Sequence, residues 1–260
     1  MIYTLTLNPA LDRTIYVERL AQRESIKVLR EERYAGGKGI DVSRVIEQLG
    51  GESIALGFLG GFTGREMEGR LLNEGIACQF IWIRDDTRTN VIVHCLETES
   101  EIRFNFPGPQ VTPNELSQIA NMCRKLAPKP TFAVISGSVP KGVNPVIYEN
   151  LILTFESQGA RVILDTYGES LRKGLTATPF MIKPNRKELS ELVGKEVQDT
   201  KDGIAAATEL LKYVEVVALS LGETGLLGIT RNNGNFLISP PKVDAINTAV
   251  SYTHLTLPTN

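Results

Sequence analysis

The chain has 260 residues, of which 42% are hydrophobic and 22% are charged, which is enough for one large α/β domain with a substantial core. Its 28 lysines and arginines and 30 aspartates and glutamates leave a net charge of −2, so no basic excess indicates binding to nucleic acid. The three cysteines form no CxxC pair, and the sequence shows neither a basic leader nor a stretch long enough to span a membrane. These features predict a cytoplasmic protein that has no membrane partner.

Strand-like apolar stretches alternate with helical spacing along most of the chain. Strands are predicted at residues 2–7, 53–59, 131–136, 161–165, 180–182, 214–219 and 226–230, and helices at 38–49, 63–73, 112–126, 145–158 and 185–193. Thr63 stands at the N-cap position of the second helix, with Glu66 three residues later, which is the pattern of a capping box. The alternation predicts an α/β fold with a parallel sheet and helices on both of its faces.

Two stretches interrupt this alternation, residues 13–33 and 87–106. Both contain extended, alternating segments with no helix between them. We therefore expect one small antiparallel sheet, inserted as two excursions, that lies over the edge of the main sheet as a lid.

Gly36, Gly37 and Gly39 surround Lys38 at the entrance to the helix predicted at 38–49. Glycine lets backbone N–H groups approach a ligand closely, and a helix N-terminus favours anions. The segment is not a P-loop, because Lys38 is followed by Gly39 rather than by Ser or Thr. It indicates a seat for a phosphorylated small molecule, although an ordinary glycine turn before a helix has the same pattern.

Other residues that suit a phosphorylated sugar follow predicted strands or lie on the lid. Asp12 comes just after the first strand, where a carboxylate can accept hydrogen bonds from sugar hydroxyls. Arg88 and Arg103 lie on the predicted lid, and the guanidinium fork suits phosphate. Ser138 follows the strand at 131–136 and offers a hydroxyl at the same edge of the sheet. Taken singly, each also reads as a turn residue or a solvated arginine.

Two segments farther along the chain suit a nucleotide. Lys183 follows the strand at 180–182 and would face a triphosphate. Asn185 and Glu188 read either as a capping box of the next helix or as groups that organise Mg²⁺ through water. The run at 220–225 reads either as a hairpin turn or as a backbone cradle for a nucleotide. All these segments lie at predicted strand ends, which favours the functional interpretation when they are taken together.

Together these segments resemble the phosphofructokinase-B group of the ribokinase-like carbohydrate kinases, and most closely its 1-phosphofructokinase and tagatose-6-phosphate kinase branch. The matching stretches run in order from Met1 to about Thr248 and are residues 4–12, 36–44, 57–64, 87–90, 136–140, 183–189 and 220–225. The resemblance implies a ribokinase-like fold, ATP with Mg²⁺ as the phosphoryl donor, and a phosphosugar as the acceptor. It also implies a β lid that often serves relatives as a homodimer interface.

The resemblance further implies roles for single residues. Those that would hold the phosphosugar are Asp12, Lys27, Gly37, Lys38, Gly39, Asp41, Arg88, Arg103 and Ser138. Those that would hold the nucleotide are Lys183, Asn185, Ser220, Gly222 and Gly225, with Glu188 near the metal through water.

Two departures from the family pattern bear on function. The family has Asn where this chain has Asp41, which cannot donate a hydrogen bond and adds negative charge beside an anion. After Thr248 the family continues into a Gly-Ala-Gly-Asp motif that opens a helix and supplies the catalytic Asp, whereas residues 249–260 contain neither Gly nor Asp. We therefore expect an incomplete kinase domain over 1–248 that lacks the C-terminal helices, an unrelated tail over 249–260, no catalytic base and an almost inactive protein.

The predicted reaction is transfer of phosphate from ATP to fructose 1-phosphate, which gives fructose 1,6-bisphosphate. Tagatose 6-phosphate and fructose 6-phosphate are the alternative acceptors. A non-catalytic phosphosugar-binding protein is the alternative from a different functional class. A hydrolase of similar topology would need an acidic cluster that the sequence does not show.

Overall fold

The computed structural model describes residues 1–21 and 24–240. In that part of the chain the elements follow one another as β1 (Ile2–Thr6), β2 (Ala10–Val17), β3 (Val28–Gly36), α1 (Lys38–Gln48), β4 (Ser53–Gly60), α2 (Gly61–Asn73), β5 (Ala77–Ile83), β6 (Arg88–Cys95), β7 (Ser100–Phe104), α3 (Pro113–Arg124), β8 (Phe132–Ser136), α4 (Val146–Glu156), β9 (Arg161–Asp165), α5 (Gly168–Thr176), β10 (Met181–Ile182), α6 (Arg186–Val193), α7 (Thr200–Leu210), β11 (Val216–Ser220), β12 (Leu226–Thr230) and β13 (Asn235–Ile238). This succession confirms the predicted α/β fold.

The main sheet has the strand order β13-β12-β11-β10-β9-β8-β1-β4-β5 within the described residues. All pairings from β11 through β1 to β5 are parallel, whereas β12 and β13 are added as antiparallel strands at one edge. The carboxyl ends of the parallel strands therefore meet along one edge of the sheet, which is where ligands bind in open α/β sheets.

Buried apolar clusters lie on both faces of the main sheet. The larger cluster packs the five helices from α3 through α7 against one face of the sheet, and it includes the fully buried rings of Tyr148 and Phe155. The other cluster joins α1 and α2 to the opposite face through Ile40 and Met67, and it reaches the small sheet at Leu11. Neighbouring residues of β4 enter the two clusters alternately, as expected when successive side chains of a strand point to opposite faces.

The small sheet, here called the lid sheet, has the order β3-β2-β6-β7. Its outer pairings are antiparallel, as predicted, while the central pairing of β2 with β6 is parallel. The parallel pair arises because β2 follows β1 and β6 follows β5, so both excursions leave the carboxyl edge of the main sheet in the same direction. Since Ala10 pairs with Gly36, the first excursion extends three residues beyond each end of the predicted range 13–33.

The structure corrects some element boundaries. Helix α2 begins at Gly61 with Gly60 as its N-cap and no side-chain cap, so the capping box predicted at Thr63 and Glu66 is wrong. The sequence analysis did not predict β5, α5, α7 or β13. Within residues 1–21 and 24–240, the structure contains no helix of the length and apolar character that crossing a membrane requires. The proposed unrelated tail at 249–260 lies outside the described residues.

Candidate active site

The glycine turn between β3 and α1 brings the helix against two strand ends. Gly37 is the N-cap of α1 and has a φ of 145°, a value that favours glycine. The Gly39 N–H donates to Thr6 Oγ1 at 3.1 Å, and a Cβ on Gly39 would lie 2.6 Å from that oxygen and 3.0 Å from Ser136 Oγ. The glycines therefore let the N-terminus of α1 approach the carboxyl ends of β1 and β8 closely.

Two lysines from distant parts of the chain meet at one buried carboxylate. Lys38 Nζ lies 2.8 Å from Asp165 Oδ1, and Lys183 Nζ lies 3.1 Å from Asp165 Oδ2. Asp165 ends β9, and its side chain is only 10% exposed. The lysine predicted for the phosphosugar and the lysine predicted for the nucleotide therefore share one counter-charge at the carboxyl edge of the sheet.

Asp12 lies on β2, at the base of the lid sheet. Asn90 Nδ2 donates to Asp12 Oδ1 at 2.7 Å, and a Cβ on Gly36 would lie 2.5 Å from Asp12 Oδ2, so a side chain at position 36 would displace the carboxylate from this position. Burial raises the pKa of Asp12, against the opposing effects of the Asn90 hydrogen bond and of the charges on Arg88 and Arg103. The carboxylate and both predicted arginines are thus in one electrostatic neighbourhood.

Arg88 opens β6 and fixes the base of the lid sheet. Its guanidinium donates to the backbone carbonyls of Asn8 at 2.9 Å, Pro9 at 3.4 Å and Phe106 at 2.8 Å. Burial lowers its pKa from the ordinary value. These carbonyls belong to the connection from β1 to β2 and to the segment after β7, so Arg88 ties the two excursions together where they leave the main sheet.

Two more of the predicted sugar ligands, Arg103 and Ser138, stand on different elements. Arg103 is exposed on β7 and pairs with Glu101, two residues earlier on the same strand. Ser138 follows β8, and its Oγ accepts a hydrogen bond from Asn8 Nδ2 at 3.1 Å. Ser138 is therefore held next to the β1–β2 connection, as its position at a strand end predicts.

Asp41 is the partner of a buried arginine. Its Oδ1 accepts hydrogen bonds from the Tyr34 hydroxyl at 2.8 Å and from Arg44 Nη1 at 2.7 Å. Arg44 also donates to Glu74 Oε2 at 2.7 Å and to the Ala35 carbonyl at 2.9 Å. Burial raises the pKa of Asp41 to about 6, although the hydrogen bond from Tyr34 and the charge of Arg44 oppose this. Asp41 therefore does place a carboxylate on the first turn of α1, and Arg44, which also binds Glu74, is its counter-charge.

On the nucleotide side, Asn185 and Glu188 form the capping box of α6. Asn185 Oδ1 accepts the Glu188 N–H at 2.8 Å, and Glu188 Oε2 accepts the Asn185 N–H at 2.9 Å. Ser220 lies beside them, because it pairs with Asn185 and its N–H donates to the Pro184 carbonyl at 3.0 Å. The capping interpretation of this motif is confirmed, and the ends of β10 and β11 are brought together.

The turn after β11 contains two glycines with different roles. A single 3₁₀ turn spans Gly222–Thr224 and leads into β12. Gly222 has a φ of 62°, and a Cβ there would point into open space. Gly225 has a φ of 111°, and a Cβ there would collide with the Ile238 carbonyl of β13. Gly225 is therefore required by the packing of the edge strand, whereas Gly222 is favoured only by its positive φ.

Lys27 does not join these residues. It is exposed and precedes β3, whose nine residues run from Val28 to Gly36 at the glycine turn. Because a strand rises about 3.3 Å per residue, Lys27 lies about 30 Å along the sheet from that turn. Within one chain, Lys27 is therefore too far from the glycine turn to share a ligand with Lys38, and its assignment to the phosphosugar stays a prediction.

Sequence reasoning missed three residues that organise the site: Asp165, Asn90 and Arg44. Asp165 is the last residue of the strand predicted at 161–165, so its strand-end position was a signal. Asn90 lies in the family-like stretch at 87–90, but its contact with Asp12 requires the pairing of β2 with β6. Nothing in the local pattern around Arg44 shows that it is buried between three elements.

With this geometry in place, the family can be identified. The profile of the "pfkB family carbohydrate kinase" matches residues 5–249. The chain belongs to the pfkB family of carbohydrate kinases. Members of this family use ATP and generally a divalent metal, so the ATP-dependent kinase lineage predicted from the sequence is confirmed.

Curated pfkB relatives are similar over nearly the whole chain. The 1-phosphofructokinase of Borreliella burgdorferi is 39% identical over 249 residues, which are 95% of this chain and 80% of that protein. The 1-phosphofructokinase of Bacillus subtilis is 33% identical over 248 residues, again 95% of this chain and 80% of that protein. The ATP-dependent 6-phosphofructokinase isozyme 2 of Escherichia coli is 33% identical over 92% of this chain and 78% of that protein.

Solved pfkB structures confirm the ribokinase-like fold. The crystal structure of phosphofructokinase-2 from Escherichia coli in complex with fructose-6-phosphate superposes with a TM-score of 0.89 at 32% identity, over 96% of this chain and 83% of that chain. The tetrameric inhibited form of the same protein superposes with a TM-score of 0.86 at 33% identity, over 94% and 80%.

Proposed function

We propose that this pfkB kinase transfers the γ-phosphoryl group of ATP to fructose 1-phosphate, giving fructose 1,6-bisphosphate and ADP. The observation that carries the proposal is the meeting of Lys38 and Lys183 at Asp165. Lys38, which we assign to the phosphosugar, and Lys183, which we assign to the nucleotide, thereby lie at one point of the carboxyl edge, and this supports the proposal. The relatives that are 1-phosphofructokinases support the choice of acceptor.

The phosphosugar would lie between the N-terminus of α1 and the base of the lid sheet. Backbone N–H groups in the first turn of α1, other than that of Gly39, which is bonded to Thr6, would provide positive charge for its phosphate together with Arg88 and Arg103. Asp12 would accept hydrogen bonds from the sugar hydroxyls, and Ser138 offers a further hydroxyl after β8.

The nucleotide would lie along the ends of β10 and β11, with Lys183 at its phosphates and the open turn at Gly222 beside it. Within the described residues, no three His, Cys, Asp or Glu side chains gather to hold a metal. Glu188 on α6 supplies a carboxylate at this edge, in addition to Asp165, which is bound to the two lysines. That donor set suits Mg²⁺, which keeps several waters and binds phosphates with one or two carboxylates. Bound Mg²⁺ would neutralise charge on the phosphates, and Lys183 would orient them.

Transfer also needs a base. The acceptor hydroxyl oxygen bonds to the γ-phosphorus, the bond from that phosphorus to the bridging oxygen of ADP breaks, and the hydroxyl proton leaves. The family pattern places the base in a Gly-Ala-Gly-Asp motif, and residues 249–260 contain no Asp. A positioned base contributes about 10²–10⁴-fold, so we propose that a polypeptide of this sequence turns over very slowly.

Fructose 6-phosphate is the second candidate acceptor. The Escherichia coli 6-phosphofructokinase isozyme 2 is 33% identical to this chain, and the fructose-6-phosphate complex of phosphofructokinase-2 superposes closely. Non-catalytic binding of a phosphosugar is the candidate from a different class, and the absence of Asp from residues 249–260 favours it.

We also propose that two copies of the chain associate through the lid sheet. Large apolar side chains on its strands are 42–52% exposed, namely Val28, Leu29, Ile102 and Phe104. Exposed apolar patches commonly mark interaction surfaces. Sedimentation analysis should show a dimer, and Val28→Asp with Ile102→Asp should convert it to a monomer. A monomeric wild type would contradict this proposal.

A coupled assay of ADP release tests the proposed reaction. Fructose 1-phosphate, tagatose 6-phosphate and fructose 6-phosphate are offered to this chain and to a version whose residues after Thr248 follow the family pattern with Gly-Ala-Gly-Asp. We expect background turnover from the first and release of ADP dependent on fructose 1-phosphate from the second. Turnover of the second protein that ignores all three sugars would contradict the proposal, and rapid turnover by the 260-residue chain would refute the account of the base.

A further inference from the structure

Asp165 occupies the junction between the two proposed ligand sides. Its backbone is fixed, because its carbonyl accepts the Gly137 N–H at 3.0 Å and the neighbouring Thr166 donates its hydroxyl to the Gly137 carbonyl at 2.7 Å. The carboxylate presents Oδ1 to Lys38 and Oδ2 to Lys183. A rigid strand end therefore holds one buried negative charge between two ammonium groups.

We propose that Asp165 is a positioning residue that holds the ammonium groups of Lys38 and Lys183 at the point where phosphosugar and nucleotide meet, and that it couples the two ligand sides. The inference rests on the proposed function, because that function assigns one lysine to each ligand. Asp165 itself need not touch either ligand for this role.

The two lysines need such a partner. Their side chains are 39% and 28% exposed, and a lysine side chain on its flexible stem has many rotamers to choose from. Two ammonium groups at short distance also repel each other. Asp165 opposes both effects with a single charge, and the group as a whole keeps a net positive charge that still attracts anions.

The shared carboxylate has a measurable consequence. When an anion binds to one lysine, that lysine interacts less with Asp165, and the carboxylate then holds the other lysine more strongly. Binding of a ligand on the sugar side should therefore strengthen the contact of Lys183 with Asp165. Binding of a ligand on the nucleotide side should strengthen the contact of Lys38 with Asp165. With asparagine at position 165, this charge-mediated link is lost while the size of the side chain is kept.

Lysine side-chain NMR of the 260-residue chain measures this link without requiring turnover. The probes are fructose 1-phosphate and a non-hydrolysable ATP analogue with Mg²⁺, and Lys38→Met and Lys183→Met assign the two ¹⁵Nζ signals. In the wild type we expect each ligand to shift both signals. In Asp165→Asn we expect each ligand to shift only the signal of the lysine on its own side.

Two further variants keep the test decisive. Asp202→Asn on α7 makes the same chemical change away from the lysines. In this variant each ligand should still shift the signal of the lysine on the other side, a shift here called the cross-response. Lys38→Met should shift the Lys183 signal without any ligand, which tests the shared contact even where Asp165→Asn folds poorly. Cross-responses that persist in folded Asp165→Asn, or a Lys183 signal unmoved by Lys38→Met, would overturn the inference. If neither ligand moves either signal while Lys38→Met still moves the Lys183 signal, the proposed function fails instead.

Discussion

The main sheet and the lid sheet are stabilised in different ways. Strands of the main sheet are covered by helices, and side chains such as Phe155 are fully buried. The lid sheet instead carries exposed and half-exposed ion pairs, with Glu31 bound to Arg13 and Arg33. Burial of apolar surface stabilises a fold strongly, whereas exposed ion pairs contribute little. We therefore expect the two sheets to differ in stability.

This difference matters because the proposed ligand site uses both sheets. Lys38, Asp165 and Lys183 stand on elements of the well-packed main layers, so their positions are set by the core. Asp12 and Arg103 stand on the lid sheet, whose link to the main layers depends on contacts such as those of Arg88 with backbone carbonyls. The core thus fixes the nucleotide side and the α1 part of the sugar side, whereas the rest of the sugar side depends on the lid sheet.

The largest expected effect is on the core. Phe155→Ala should lower the free energy of unfolding by about 3–5 kcal/mol, because it removes a buried ring and leaves a cavity. Phe62→Ala is the matched control, since Phe62 is 94% exposed, and a surface change of this kind stays within about 0.5 kcal/mol. Urea unfolding measures both. Equal destabilisation by the two substitutions would contradict the view that burial of side chains such as Phe155 stabilises the main layers.

Asp41 tests the contact between the main layers and the lid sheet, because it lies on α1 and accepts a hydrogen bond from Tyr34 on β3. Burial raises its pKa from 3.8 to about 6. The native state therefore binds its proton more tightly than the unfolded state, so its contribution to the free energy of unfolding falls as pH rises through that range. At about 1.4 kcal/mol per pKa unit, the full change is roughly 3 kcal/mol.

Asp41→Asn should remove this pH dependence. The difference in unfolding free energy between the wild type and the variant is measured in urea at a series of pH values from about 3 to 8. We expect the wild type to lose stability relative to the variant as pH rises from 3.8 to about 6. A difference that stays constant across the series would show that this carboxylate titrates normally.

Arg103 tests the sugar side. Arg103→Ala should weaken binding of fructose 1-phosphate by about 1.5–3 kcal/mol, because a charge-assisted hydrogen bond to the phosphate is lost. Binding of unphosphorylated fructose should change much less. Arg13→Ala is a matched control on the lid sheet, since Arg13 is as exposed as Arg103 and also pairs with a glutamate. Binding is measured by calorimetric titration. If Arg103→Ala weakened the binding of both sugars equally, Arg103 would not contact the phosphate.

The smallest effect is expected for Glu31→Gln. Hydrogen bonds from Arg13 and Arg33 lower the pKa of Glu31 to about 2, so its contribution is present at neutral pH and is lost as pH falls from 4.5 toward that value. Hydrogen exchange should accelerate in β2 and β3 only, and the wild type and variant should converge at high salt. Faster exchange throughout the main sheet would show that the two sheets are not independent.

Much of the main sheet was predictable because its buried strands are short apolar runs with polar ends, as at 131–136 and 161–165. Helices α5 and α7 were not predicted, because glycines weaken their pattern. Gly203 in α7 illustrates the reason, since a Cβ there would lie 2.7 Å from Leu219 Cδ2. Close packing of helix on strand requires this glycine, although glycine lowers the helical propensity of the segment.

Candidate site residues could be selected from the sequence, but the contacts between them could not be predicted. The glycine-rich start of a helix was enough to select Lys38, and a strand-end position was enough to select Lys183. Their common partner Asp165 is 127 residues from Lys38 along the chain, so only the fold reveals it. Glu66 shows the opposite error, since its spacing suggested a helix cap, whereas it bonds to Arg33 and Arg70.

Hydrogen–deuterium exchange with added ligands tests most directly the central claim that sugar and nucleotide bind on two sides of the carboxyl edge of the main sheet. We predict that fructose 1-phosphate slows exchange at residues 36–44 and 88–106, and that ATP with Mg²⁺ slows exchange at 183–189 and 220–225. Unphosphorylated fructose should have a much weaker effect. Protection confined to the opposite edge of the sheet, for example to the loop at 157–160 before β9, or no protection by either ligand, would contradict the account.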